Sequence, residues 1–263
     1  MSALKRNNVH VRGKGETAML FAHGFGCDQN MWRFVAPAFE DRYRIVLFDH
    51  VGAGNSDLRA YDYSKYASLD GYADDIVEIG TELGLNNAIF VGHSVSSMIG
   101  VIAANKSPGL FQSLVLVAPS PSYIDEDDYT GGFTRAQIDE LLESLDSNHL
   151  GWSASMAPVI MGNPDRPELG EELSNSFCRT DPEIARHFAR VTFLSDARGI
   201  LADCRTPCLI LQCSEDVIAP NAVGEYLHAK LRDSKLVVLN ATGHCPNLSA
   251  PEETIAAMED FLS

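Results

Sequence analysis

The chain has 263 residues, 45% hydrophobic and 21% charged, the makeup of an ordinary globular protein, and this length suits one α/β core with an insertion. Its formal charge of -16 is repelled by nucleic acid and by anionic membrane surfaces, and no basic patch interrupts it. No apolar stretch approaches membrane-spanning length and none follows Lys5-Arg6 as a signal peptide requires, so the expected location is the cytoplasm.

In chain order, Asn8-Val9-His10-Val11-Arg12-Gly13 alternates and ends at glycine, which predicts an edge strand and a turn. Thr17 to Ala22 is nearly all apolar, the mark of a strand buried on both faces, and it runs directly into His23-Gly24-Phe25-Gly26. Trp32, Val35, Ala36 and Phe39 recur at helical spacing, but Pro37 predicts a bend or break. Tyr43 to Phe48 predicts another buried strand. Asp49 and Gly52-Ala53-Gly54 follow it, without the third glycine of a dinucleotide fingerprint. A helix is expected from about Leu69 to Leu83, with Tyr72, Ile76, Ile79 and Leu83 buried and Asp74, Asp75, Glu78 and Glu82 in solvent.

Ala88-Ile89-Phe90 leads into Val91-Gly92-His93-Ser94-Val95-Ser96 and Ser97-Met98-Ile99-Gly100, which reads as strand, tight turn and helix with Ser94 at the apex. Leu114 to Ala118 continues the β, α, β alternation of a parallel, doubly wound sheet. Past Pro119-Ser120-Pro121 the texture changes, and residues 122–195 hold amphipathic helical stretches but no strong strand. Thr134 and Gln137 form a capping box before Ile138, Leu141, Leu142 and Leu145, and Asp181-Pro182 opens a helix presenting Ile184, Phe188 and Val191. The expectation is a helical insertion at 122–195 between two core segments, 1–121 and 196–263.

The core resumes with a strand from Pro207 to Cys213, a helix presenting Val223, Leu227 and Leu231, and a strand from Lys235 to Leu239. Ser249 and Glu252 are placed to box the start of a final helix carrying Ile255, Met258 and Leu262. Six cysteines include no CxxC pair. Cys208 and Cys213, an odd number apart on a strand, should face opposite sides, so reduced structural thiols are expected rather than a metal site.

Glycine-bearing turns at Phe25 and Ser94 mark one edge of the sheet. Two later strand ends supply a carboxylate, Asp216, and an imidazole, His244, the latter within Thr242-Gly243-His244-Cys245-Pro246. A neutral serine hydroxyl needs an imidazole base, and that imidazole needs a carboxylate to hold its tautomer. The carboxyl edge of a parallel sheet brings such distant residues together. Ser94, Asp216 and His244 are therefore the catalytic candidates, with Glu215 and Asp49 as alternative acids. His23 and His93 belong to the two turns, while His10, His50, His149, His187 and His228 fit surface, loop or lid roles. This chemistry calls for no metal and no organic cofactor.

The order Ser94, Asp216, His244, with the Ser94 turn and His23-Gly24-Phe25-Gly26-Cys27-Asp28-Gln29, resembles the α/β-hydrolases. The likeness extends to Tyr129-Thr130-Gly131-Gly132-Phe133 and Phe193-Leu194-Ser195-Asp196. It is similar to the small members that include the bacterial stress sigma-factor regulator (RsbQ-like) and the plant strigolactone and karrikin receptors. The resemblance implies an α/β-hydrolase fold, a lid of about four helices over an apolar pocket, and oxyanion-hole amides from Phe25 and Val95. It implies turnover of a small hydrophobic ester or lactone, butenolides included. The alternative is a ligand-sensing signalling protein that hydrolyses slowly and whose output is binding a partner protein. Ser96 departs from the second glycine of Gly-x-Ser-x-Gly, a change the plant relatives tolerate. Lid aromatics, Phe177 among them, either line the chamber or pack the helices together; Tyr123, Phe133, Trp152, Phe188 and Phe193 are taken as the substrate pocket.

Overall fold

The computed structural model describes residues 1–263. Strands β1 (His10–Arg12), β2 (Ala18–Ala22), β3 (Arg44–Leu47), β4 (Ala88–His93), β5 (Phe111–Val117), β6 (Cys208–Glu215) and β7 (Ser234–Thr242) form one sheet, ordered β1-β3-β2-β4-β5-β6-β7. Only β1 is antiparallel, lying exposed along β3 at the edge. Because β3 lies on one side of β2 and β4 on the other, the winding reverses between β2 and β4. Loops leaving two strands at such a point part in opposite directions and open a crevice at the carboxyl edge. The His23–Phe25 turn and Ser94 leave the sheet there, from paired strands.

Helices α1 (Ala3–Arg6), α2 (Leu69–Glu82) and α3 (Val95–Lys106) precede an insertion of α4 (Arg135–Ser147), α5 (His149–Met161), α6 (Pro167–Arg179) and α7 (Pro182–Phe193) between β5 and β6. After it come α8 (Asn221–Lys230), α9 (Pro246–Ser249) and α10 (Pro251–Leu262). Strand side chains alternate between two buried layers. Met19, Phe21, Val91 and Cys213 pack with Trp32, Phe39 and Met258, whereas Leu20, Phe90 and Cys208 pack with α2 and α3 residues such as Ile76 and Ile99. Cys208 and Cys213 thus face opposite sides, as their odd spacing requires.

The local signals hold at α4, where both halves of the Thr134–Gln137 box form, and at α7, where Asp181 accepts from the Glu183 and Ile184 amides. Two expectations differ. Ser249 ends α9, and α10 is capped by Ala250 without a side-chain bond, so the Ser249–Glu252 box is absent. Pro246 starts a separate turn that uses Ser249 as its last residue. Asp75, expected in solvent, is fully buried and takes Arg6, Lys65 and the Tyr66 hydroxyl. Periodicity within α2 misses this because the partners arrive from α1 and from the loop before α2.

The inserted helices are fastened over the crevice. Ser176 of α6 donates to the Gly26 carbonyl at 2.8 Å, and the Ile160 carbonyl of α5 accepts the His244 amide at 2.9 Å. Gly243, at φ 86°, makes the second contact possible, since a Cβ there would meet the Met161 carbonyl oxygen at 1.8 Å.

Candidate active site

Ser94 joins β4 to α3 with φ 56° and ψ -125°, a backbone that an L-residue keeps only where its surroundings impose it. Its amide is held by the Val117 carbonyl of β5 at 2.8 Å, and its carbonyl accepts the Ser97 amide at 2.9 Å. The turn presents the hydroxyl to His244 Nε2, 2.7 Å away. His244 Nδ1 lies 2.7 Å from Asp216 Oδ2. A carboxylate can only accept, so Nδ1 carries the ring proton and Nε2 is left to receive one from Ser94. Asp216 Oδ1 takes the Ile218 and Ala219 amides at 2.8 and 3.1 Å, which locks the carboxylate plane. The alternative acids are engaged elsewhere: Glu215 bonds Thr242 in an exposed position, and Asp49 is shared among Asn8, Gln29 and Asn55.

The first turn approaches this line closely because residue 24 is glycine. A Cβ there would stand 2.5 Å from His93 Nδ1 and 3.3 Å from Ser94 Cβ. The neighbouring Phe25 amide has no acceptor within the protein. Val95 opens α3, where first-turn amides lack an intrahelical carbonyl partner. Two donors left free beside a nucleophile suit a developing oxyanion.

Above Ser94 is a narrow, mainly apolar cavity of about 30 Å³. Tyr123 and Phe193 line it, with their rings 5.2 Å apart. Phe133, Trp152 and Phe188 do not line it. Trp152 stacks on Phe177 at 5.5 Å, and Phe188 stacks on Tyr72 at 4.5 Å, so each forms a second layer behind Phe25, which both also touch. Phe133 bridges Ile124 through its backbone and packs into the adjoining core. Helical spacing tells which side chains turn inward but not which inward layer reaches an opening. Ile160, Leu173, Thr192 and Ile218 line the cavity without having been singled out; the four-residue spacing of Leu169, Leu173 and Phe177 on α6 was the available signal.

Residues 19–257 match the alpha/beta hydrolase family. The chain belongs to that family. Karrikin insensitive 2 receptor IA of Petunia hybrida is 40% identical over 97% of this chain and 93% of its own length. A strigolactone esterase of Arabidopsis thaliana is 39% identical over 95% of this chain and 94% of its own. Among solved structures, a hydrolase from Oleispira antarctica is 42% identical and superposes with a TM-score of 0.96 over 99% of this chain and 96% of that one. These findings bear out the α/β-hydrolase fold and the likeness to the plant receptor hydrolases. No helix is long and apolar enough to cross a membrane.

This alpha/beta hydrolase also buries three imidazoles close to the Ser94 turn, His23, His50 and His93. Ser96 Oγ donates to the His23 carbonyl at 2.5 Å, so its contact with His50 Nε2 at 2.7 Å makes that nitrogen the donor. His23 Nε2 accepts the His50 amide at 3.0 Å, and His93 Nε2 donates to the His244 carbonyl at 2.7 Å. His50 is therefore not the surface or lid histidine expected; it is buried against Ser96, His23 and Tyr72. Its partners lie far along the chain, where sequence spacing does not reach.

Serine at position 96 thus ties the His23–Phe25 turn to α3. Ser96→Gly restores the general motif without adding bulk, yet it releases the His23 carbonyl. On a short ester we expect kcat to fall about tenfold with KM little changed, because one buried hydrogen bond no longer fixes the Phe25 turn. Steady-state kinetics check this, and an unchanged kcat would show that the hydroxyl only fills space.

Burial pushes the pKa values of His23, His50 and His93 down, that of His93 to about 3, and neighbouring imidazoles add to the effect at His50 and His93. The three stay neutral in the fold but bind protons in the unfolded chain below the ordinary value of 6.5. Their contribution is therefore fully present above that value and is lost as pH falls toward the folded-state values. Each charged histidine in the unfolded chain steepens the loss by about 1.4 kcal/mol per pH unit. Urea midpoints measured from pH 7.5 down to 5 should drop steeply in the lower half of the range; a flat profile would contradict neutral burial.

Proposed function

We propose that the protein is a carboxylic ester hydrolase that cleaves a small hydrophobic ester or lactone, butenolides included, through Ser94, His244, Asp216 and an acyl-enzyme. The carrying observation is the hydrogen-bonded line from Asp216 through His244 to Ser94, set against an apolar cavity. His244 takes the Ser94 proton as the hydroxyl attacks the carbonyl carbon. The Phe25 and Val95 amides hold the oxyanion, and His244 then protonates the departing alkoxide. Water, deprotonated by the same imidazole, releases the acyl group. In a lactone the alkoxide stays on the acyl chain and leaves with it. The small cavity favours compact substrates, with residues 122–195 acting as a lid. Short p-nitrophenyl esters assayed beside Ser94→Ala test the reading, and equal rates for the two proteins would sink it.

A second reading is favoured by the receptor names of relatives that match nearly the full chain. In it the protein senses a ligand, hydrolyses it slowly, and delivers its output by binding a protein partner. A ligand-dependent pull-down alongside turnover counting separates the two: fast multiple turnover with no captured partner favours the plain enzyme.

A further inference from the structure

The cavity contains two hydroxyls with nothing to bond. Thr192 Oγ1 and Tyr123 Oη are buried and lack any hydrogen-bond partner in the protein, and both residues line the cavity with Ser94. Each residue is only 1% exposed. The Tyr123 hydroxyl neighbours that of Ser94, whose own hydrogen bond goes to His244 Nε2 at 2.7 Å. A helical threonine ordinarily returns its hydroxyl to the carbonyl one turn back, but Thr192 of α7 does not.

Thr192 also interrupts an apolar stripe. Ile184, Phe188 and Thr192 recur at four-residue intervals along the buried face of α7. A valine there would have the same shape, and an unpaired buried hydroxyl destabilises a fold where valine would not. Most of the wall is apolar, and Phe25, Ile160, Leu173, Phe177 and Phe193 offer no side-chain partner; its polar members Ser94 and His244 are bonded to each other, and neither bonds Thr192. The arrangement makes sense if the partner arrives with the ligand.

Building on the reading of Ser94 as nucleophile, we propose that Thr192 is a specificity residue whose hydroxyl, with that of Tyr123, hydrogen-bonds a ligand oxygen outside the scissile carboxyl group. The scissile carbonyl oxygen is claimed by the Phe25 and Val95 amides, and the leaving oxygen by His244. A further polar contact therefore requires a further oxygen. The hydrolase selects compact esters or lactones carrying an additional ether, keto or hydroxyl oxygen over hydrocarbon analogues of equal size. Both hydroxyls can donate, so an ether oxygen suffices as a probe.

The experiment uses pairs that exchange one methylene for an ether oxygen. p-Nitrophenyl 3-methoxypropanoate against pentanoate places the oxygen in the acyl chain; 2-methoxyethyl acetate against butyl acetate places it in the alcohol. For each pair the kcat/KM ratio, ether over methylene, is compared between the parent protein and Thr192→Val, so that intrinsic reactivity cancels. In at least one pair the variant should lose about three- to tenfold of the ether preference, the worth of one hydrogen bond. Thr192→Ser, which keeps the hydroxyl, should retain the preference. Thr192→Val should also raise Tm by about 2 °C, because it removes an unpaired buried group. Ratios unchanged in both pairs while Ser94-dependent turnover persists, or a lowered Tm, would overturn the proposal. Absence of any Ser94-dependent turnover in the parent protein would instead strike the nucleophile assignment.

Discussion

Ser94→Ala is expected to lower kcat/KM for a short ester by roughly 10^4- to 10^6-fold while Tm moves little. The size of the effect follows from what is lost. On the proposed mechanism no acyl-enzyme can form without the hydroxyl, and only the free amides and the pocket remain to assist a bound water. Little stability is at stake, because the Val117 and Ser97 backbone bonds that hold the turn survive the change. His244→Ala should fall by a comparable factor, and the double variant should fare no worse than either single one, since nucleophile and base act as a unit. Activity of Ser94→Ala within tenfold of the parent would place the nucleophile elsewhere.

Asp216→Asn should cost about 10^4-fold in kcat at neutral pH by a different route. Asp216 Oδ1 is held by the Ile218 and Ala219 amides, so an amide oxygen would keep that place. The new NH₂ group then falls where Oδ2 now meets His244 Nδ1 at 2.7 Å. As a donor it favours the tautomer with the proton on Nε2, and that nitrogen can no longer accept from Ser94. Folding should be preserved, because the buried amide bonds persist. Circular dichroism and Tm close to the parent, together with the kinetic loss, check the prediction. A loss of tenfold or less would mean that Asp216 does not set the tautomer.

Much of this was legible in the residues. Strands buried on both faces appear as unbroken apolar runs, as at β2 and β3, because a parallel sheet covered by helices leaves no polar side. Thr134 and Asp181 announce their helices because a cap is made within four residues of chain. Asp75, His50 and the absent Ser249–Glu252 box escaped the same reasoning. Each depends on a neighbour delivered by another element or on a competing local turn.

The site divides along the same line. The chain order of Ser94, Asp216 and His244, each beyond a strand, was enough to nominate them, because strand ends on one edge of a parallel sheet must be near one another. Geometry selected Asp216 over Glu215 and Asp49 as the acid bonded to His244, by occupying the other two with separate partners.

Sequence alone determined the α/β class, the winding and the family, since these rest on periodicity, turn chemistry and motifs that are local in the chain. Only the tertiary structure decided which aromatics reach the cavity, what the serine at position 96 bonds, and which hydroxyls lack partners. Those depend on side chains brought together from separate elements, and hydrogen bonding and close packing are settled over distances that sequence spacing does not encode.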